Sequence, residues 1–545
     1  VRLLLPPVDA HRRIRGPYTV AAAALHFLIP AALERSPELV EAHETEIRAA
    51  APGLLDRAPP GRSFLSDEER ILVPAPRRTL RLANGLTEFI AGTAEPGRVL
   101  AVCNAAHADH TDIELLQVMT RRLPPERLAV WVWTEGPQPP PDRRDAGELW
   151  AIVDRCTQEG FLHAVVELGE RGLAGTEPGS RLWWNFAQRT ATALGGLGRR
   201  AEAAELWESV RRASQVPAVH AASAYGLAML DARDPDPAAR DLGRARGWLN
   251  QAIAISTLLP DPGERAFKLG FDRNALALVE FRLGRLREAL ALVESAIELA
   301  RELGDRHPVH RMVLLVNRAQ LLAALGHAKE ALEDYGAAVA LDPGFPDTYL
   351  DRGNLCYRLG RYEEALADYE TAIRLSPPLP EAYYNRAQAR LALGETAAAL
   401  ADLGRVIELD PEYVDAYVNR AGLLAGLERD EEARRDVEAG LALAPANPHL
   451  LAVLGQLETA AGRFAAAREA FDRAIAAAPE LAAAWANRGI LRYEAGDPEG
   501  AVADLSRAIE LEPQPDLHAN RAVALRALGR EAEAEADERL AGGPG

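Results

Sequence analysis

Residues 484–513 read AWANRGILRYEAGDPEGAVADLSRAIELEP. Apolar and small residues recur every three or four positions on either side of Gly496, and Pro513 closes the stretch. That is the pattern of two amphipathic helices joined by a glycine turn and stopped by proline. Steps of 34 residues carry the same marks along the chain, through Pro343, Pro377, Pro411, Pro445, Pro479 and Pro513. Gly326, Gly360, Gly394, Gly462 and Gly496 follow the same ruler, with Glu428 as the single substitution. Ala331, Ala365, Ala399, Ala433, Ala467 and Ala501 stand where two antiparallel helices must approach closely. Larger residues, Tyr335, Tyr369, Leu403, Val437, Phe471 and Leu505, follow four positions later on the same helical face. A unit of this kind buries its apolar side only against its neighbours, so the array is expected to stack into a solenoid.

The series Trp485, Gly489, Gly496, Ala501, Leu505, Ala508 and Pro513 resembles the tetratricopeptide repeat (TPR) family, and the resemblance covers residues 312–540 as about seven repeats. It implies a right-handed superhelix whose concave side is lined by the first helix of each pair. Upstream the pattern loosens. Gly284, Ala289, Val293 and Ala296 mark an extended repeat within 264–310, leaving 42 residues between Gly284 and Gly326. Gly198, Ala203, Trp207 and Val210 mark another within irregular TPR-like repeats at 146–260, which begin after the linker EGPQPPPDRRD. The last helix, EAEAEADERL, is charged enough to cap the stack against water.

A chain of 545 residues exceeds one ordinary core, and its 48% apolar content excludes wholesale disorder. Sixty-two basic against 80 acidic residues give a net charge of −18, which disfavours nucleic acid and anionic membranes as general partners. Lysine occurs only at Lys268 and Lys329, the mark of a GC-rich bacterial genome. Cys103, Cys156 and Cys356 lack CxxC spacing, which argues for a reducing cytoplasm and against structural zinc. The apolar run 18–33 is short and interrupted by His26 and Pro30, so it reads as a buried helix. The chain opens on Val1, which fits an unusual start codon or a fragment.

Residues 1–140 show no repeat. RVLAVCN, a helical AHADHTDIELLQVMTRRL and LAVWVWT give strand, helix, strand, hence a small α/β domain with a parallel sheet. With the helical stretch 16–55, this order resembles the nucleotide-binding module of the STAND ATPases, a P-loop NTPase fold. Here it would be degenerate. There is no GxxxxGK[ST], and the acid positions of the Walker B-like strand fall on Cys103 and Asn104. The fold expected is therefore mainly α, a TPR solenoid preceded by a degenerate NTPase-like domain, with no catalytic residue, metal or cofactor. His107, Asp109, His110 and Asp112 invite a metal reading, yet they sit where a helix starts and capping explains them better. Trp183 and Trp184 read as packing between elements.

One motif asks for a function. Asn-Arg recurs at Asn317, Asn385, Asn419, Asn487 and Asn520, one equivalent first-helix position, with Asp351 and Val453 as substitutions. Gln320, Asn354 and Gln388 follow three residues later, and Tyr357 and Tyr384 share the face. TPR proteins that bind extended peptides use Asn at this position, because an amide donates to and accepts from a peptide backbone at once. The other reading is an inherited packing frame in which the Arg lays its stem on a neighbouring helix and its head in water. The function expected is a cytoplasmic, non-enzymatic adaptor or sensor that binds an extended protein segment, its oligomeric state left open. The alternatives are a nucleotide-regulated ATPase switch and a substrate-recruiting subunit of a separate modifying enzyme.

Overall fold

The structure, a computed structural model, describes residues 2–55, 75–138, 144–234 and 236–542. The chain forms two compact units, Val1–Ala382 and Tyr383–Gly545.

The first unit opens with β1 (Arg2–Leu3), β2 (Val8–Asp9), α1 (Thr19–Arg35), α2 (Pro37–Ala42), α3 (Glu44–Ala50) and α4 (Ala75–Thr93). It continues with β3 (Arg98–Cys103), α5 (His110–Arg122) and β4 (Leu128–Val132). Among the described residues the strand pairings are parallel, and His11 and Ala108 add an isolated antiparallel bridge. β4 takes one edge of β3 from Arg98 to Val102, and β1 and β2 follow one another along the other edge. The unbroken apolar run of β3 reflects a strand covered on both faces, as parallel strands usually are. α1 packs on β2, α4 and α5, and α5 on β4. The α/β region and the first solenoid helices share one core, in which Leu25, Leu86, Leu100 and Leu115 join Val153, Cys156, Phe186 and Leu194. Most of the apolar run 18–33 lies in α1, which is buried along one face and leaves Phe27 and Leu33 exposed on the other, with Pro30 inside the helix.

From Ala146 to Ala541 the described chain is a succession of helices, the strict repeats running from Pro308–Ala324 to Glu531–Ala541. Several first helices begin on proline, at Pro308, Pro346, Pro380, Pro448 and Pro515, where its fixed φ suits the first turn and its missing N–H is no loss. Each helix pair is closed by a residue in the left-handed region. Gly326, Gly360, Gly394, Gly462 and Gly496 have φ of 73–87°, and Glu428 keeps φ at 59° without being glycine. A side chain there costs roughly 1 kcal/mol. Glu428→Gly is therefore expected to raise stability by about 1 kcal/mol in urea denaturation, and an unchanged midpoint would show that the turn carries no strain.

The two helices of a repeat are held by a large residue seated on a small one 16 positions earlier. Tyr369 covers Gly353, Phe471 covers Gly455 and Leu505 covers Gly489, so closely that a Cβ on those glycines would lie 2.7, 2.4 and 2.9 Å from the covering side chain. Ala331, Ala365, Ala399, Ala433, Ala467 and Ala501 are fully buried beside them.

Candidate interaction site on the first-helix face

The Asn-Arg pair divides between two tasks. Each Arg turns back into its own repeat. Arg318, Arg352, Arg386, Arg420, Arg488 and Arg521 each donate through Nε and Nη2 to both oxygens of an Asp 16 residues later, at 2.6–2.9 Å. The acceptors, Asp334, Asp368, Asp402, Asp436, Asp504 and Asp537, are all buried. The heads of these arginines thus end in ion pairs rather than in water, which corrects the solvent reading. The bidentate geometry satisfies both carboxylate oxygens and fixes the angle between the helices. In one repeat Arg is replaced by Leu454, and there the Asp is replaced by Ala470, so both partners are lost together. Exposed pairs at the turns, such as Arg429 with Glu432 and Arg530 with Glu533, are of a weaker kind, screened by water.

The Asn positions face the neighbouring repeat. In the first unit Asn317 donates to Asn274 Oδ1 at 2.8 Å, and Gln320 Nε2 donates to Asp351 Oδ2 at 3.3 Å. Asn354 is tied within its repeat, accepting from Tyr369 Oη at 2.9 Å, and Tyr357 lies against Tyr362 with ring centroids 5.5 Å apart. In the second unit Asn419 Nδ2 donates to Tyr384 Oη at 2.8 Å, while the Tyr384 ring packs on Tyr413. Gln388 buries its Nε2 without a hydrogen-bond partner, and Asn385, Asn487 and Asn520 are half-buried at equivalent places. The amides therefore form rows along the first helices of each unit, and some of their hydrogen bonds stitch one repeat to the next. Sequence reasoning missed Asn274, which precedes Asn317 by 43 residues and so falls off both the 34- and the 42-residue spacing.

The α/β region resolves the other candidates. Asp109 caps α5, accepting from Thr111 N and Oγ1 at 2.9 and 2.7 Å. Asp112 reaches across to α1, where its two oxygens accept from Thr19 N and Val20 N, both at 2.9 Å. Its burial, against those donors, pushes its carboxyl up to about 8. His107 stacks on His11 and His110 packs on His163, so the four-residue group is drawn apart into separate contacts. Among the described residues no three His, Cys, Asp or Glu side chains come together as a metal site, and no helix is long and apolar enough to cross a membrane. At the carboxyl edge of the sheet Asn104, in the left-handed region, donates to Asp9 Oδ1 at 2.8 Å and to Pro137 O at 2.7 Å. Trp183 is buried with Ala187, Val210 and Val219, and Trp184 packs near Trp207, so both serve packing among the solenoid helices.

Comparison with known proteins supports the repeat reading. Family models described as tetratricopeptide repeat match residues 272–343, 384–448, 452–514 and 487–545, and one described as TPR repeat matches 353–394. These stretches are TPR repeats. No curated protein matches the chain. Among solved structures, a tetratricopeptide repeat protein from Parabacteroides merdae is 20% identical, covering 48% of this chain and 99% of its own, with a TM-score of 0.38. YrrB, a TPR protein with an unusual peptide-binding site, is 21% identical over 36% of this chain and 97% of its own, at a TM-score of 0.30. Yeast Tom70 is 16% identical over 73% of this chain and 90% of its own, at 0.37.

Proposed function

We propose that the chain is a non-enzymatic interaction adaptor whose first-helix amides hold an extended segment of a partner protein. The observation that carries this is the division of labour within Asn-Arg. The arginines are committed to buried carboxylates, which leaves amides as the repeated polar groups on the first-helix face. A row of amides grips a peptide backbone without reading its side chains. The residues assigned to this role are Asn317, Gln320, Asp351, Asn354 and Tyr357 in the first unit. In the second they are Tyr384, Asn385, Gln388, Asn419, Asn487 and Asn520. The test is the triple variant N317A/N385A/N419A against a panel of extended peptides, read by fluorescence anisotropy. Affinity is expected to fall at least about tenfold, the sum of several neutral hydrogen bonds, with helicity unchanged. Equal affinity would reduce the amides to frame.

For the α/β region the reading is a domain that resembles a STAND module and works without nucleotide hydrolysis. The N–H groups that open α1, where a helix would favour a phosphate, already bond to the Asp112 carboxyl group. Cys103 and Asn104 end the central strand without supplying an acid, and Asp9 nearby is bonded to Asn104. Calorimetry with Mg-ATP is expected to show no heat of binding. Micromolar affinity would favour the ATPase switch instead.

A further inference from the structure

At the recurring Asn position of the strict repeats, Asp351 alone is acidic. Changing Asn to Asp keeps the shape and adds a charge, and that charge is oddly placed. The six buried Asp of the repeat frame are each gripped by an Arg fork, whereas Asp351, half-buried, accepts from the neutral Gln320 and makes no ion pair among the described residues. Burial, with Asp347 adding to it, pushes its carboxyl up to about 6. One turn earlier on the same helix stands Asp347, also on the solenoid, and it does have a cation nearby. That cation comes from outside the repeats. Arg81, on α4, places Nη1 at 3.8 Å from Asp347 Oδ1 and donates from Nη2 to Ser376 Oγ at 3.1 Å. A guanidinium from the α/β region therefore reaches the rim of this face and stops short of Asp351.

We propose that Asp351, with Asp347, receives an arginine or lysine side chain of the bound partner segment, and that Arg81 holds the rim of that site in cis as a competing cation. This rests on the reading of the first-helix face as a peptide site, and adds a preference that the neutral amides alone do not supply. The chemistry is complementary on the larger scale too, since the chain carries a net charge of −18. A partly desolvated carboxylate that has only the exposed Arg358, two turns along its own helix, as a nearby positive charge is unfavourable until a closer cation arrives, so a basic side chain gains more here than at any Asn of the row. Arg81 would then lower the affinity of the free protein for such a partner and be displaced by it, a cost that the partner's own contacts must exceed.

The experiment uses the full chain and two dodecapeptide libraries randomised over uncharged residues, one with a central arginine, the other with citrulline, which keeps the shape and removes the charge. The arginine library is expected to bind about tenfold more tightly, the size of one charge-assisted contact. R81A should strengthen arginine binding several-fold and leave citrulline binding unchanged. D351N restores the residue that the other repeats carry, so it should fold, and it should bring arginine and citrulline binding to the same level. Equal binding of both libraries to wild type and R81A would overturn the cation site and leave the amide groove standing. Binding of neither library at millimolar concentration would overturn both.

Discussion

R420L is expected to cost the Tyr383–Gly545 unit about 3–5 kcal/mol, and adding D436A is expected to recover most of that loss. Arg420 forks onto Asp436 at 2.6–2.7 Å, and Asp436 is 5% exposed, so removing the Arg strands a carboxylate that has no path to water. Breaking one side of a buried pair is costly, whereas replacing both sides with apolar groups is often neutral. The chain already contains the second solution, since Leu454 and Ala470 occupy the same two positions one repeat later. D436A alone should cost less than R420L, because the guanidinium is a quarter exposed and keeps access to solvent. Urea denaturation of the three variants, followed by far-UV circular dichroism, gives the ordering. If the double variant is no more stable than R420L, the pair is not the coupled unit described above.

D112A is expected to loosen the start of α1 by about 2–4 kcal/mol, since two buried N–H groups, of Thr19 and Val20, lose their acceptor together. The same carboxylate makes this region sensitive to pH. Its folded value is about 8, above the 3.8 of an unperturbed Asp, so between these values the native state holds a proton that the unfolded state has released. Stability conferred by Asp112 is therefore greatest near pH 4, falls as pH rises to 8 and is flat beyond. D112N, neutral throughout, should remove that slope, at the cost of one of the two acceptors, since its amide NH2 cannot accept from the backbone N–H it faces. Hydrogen exchange of the amides of α1, corrected for the intrinsic pH dependence of exchange, measures it. A wild-type slope equal to that of D112N would mean that the carboxylate is ionised in the native state throughout.

The repeat array was open to reading because its marks are local. A turn needs the left-handed region at Gly326 or Gly496, and a helix ends near a proline such as Pro513, whatever the rest of the chain does. The Arg-Asp forks lie on the same ruler and could have been found there, most directly from the joint loss at Leu454 and Ala470. They were missed because the partners sit on different helices, 16 residues apart across a turn, where no helical periodicity links them. The contacts of the candidate site were hidden for another reason. Whether Asn419 meets Tyr384, or Gln320 meets Asp351, depends on the rotation between successive repeats, which no residue spacing within a repeat records. In the α/β region the strand pair Arg2–Leu3 and Val8–Asp9 is too short to show alternation. The bond from Val20 to Asp112 spans 92 residues and leaves no local trace.

The repeat that has Leu454 and Ala470 also implies an order of events in the history of the chain. If it descends from a copy that carried the fork, the two replacements did not arise with equal ease. Losing the Arg first would have left a buried, unpaired carboxylate, the costlier defect, which selection removes more readily. Losing the Asp first would have left a guanidinium able to swing toward solvent, a milder defect that a lineage can carry until Leu replaces the Arg. The accessible path between the two states of this motif thus runs through Ala before Leu.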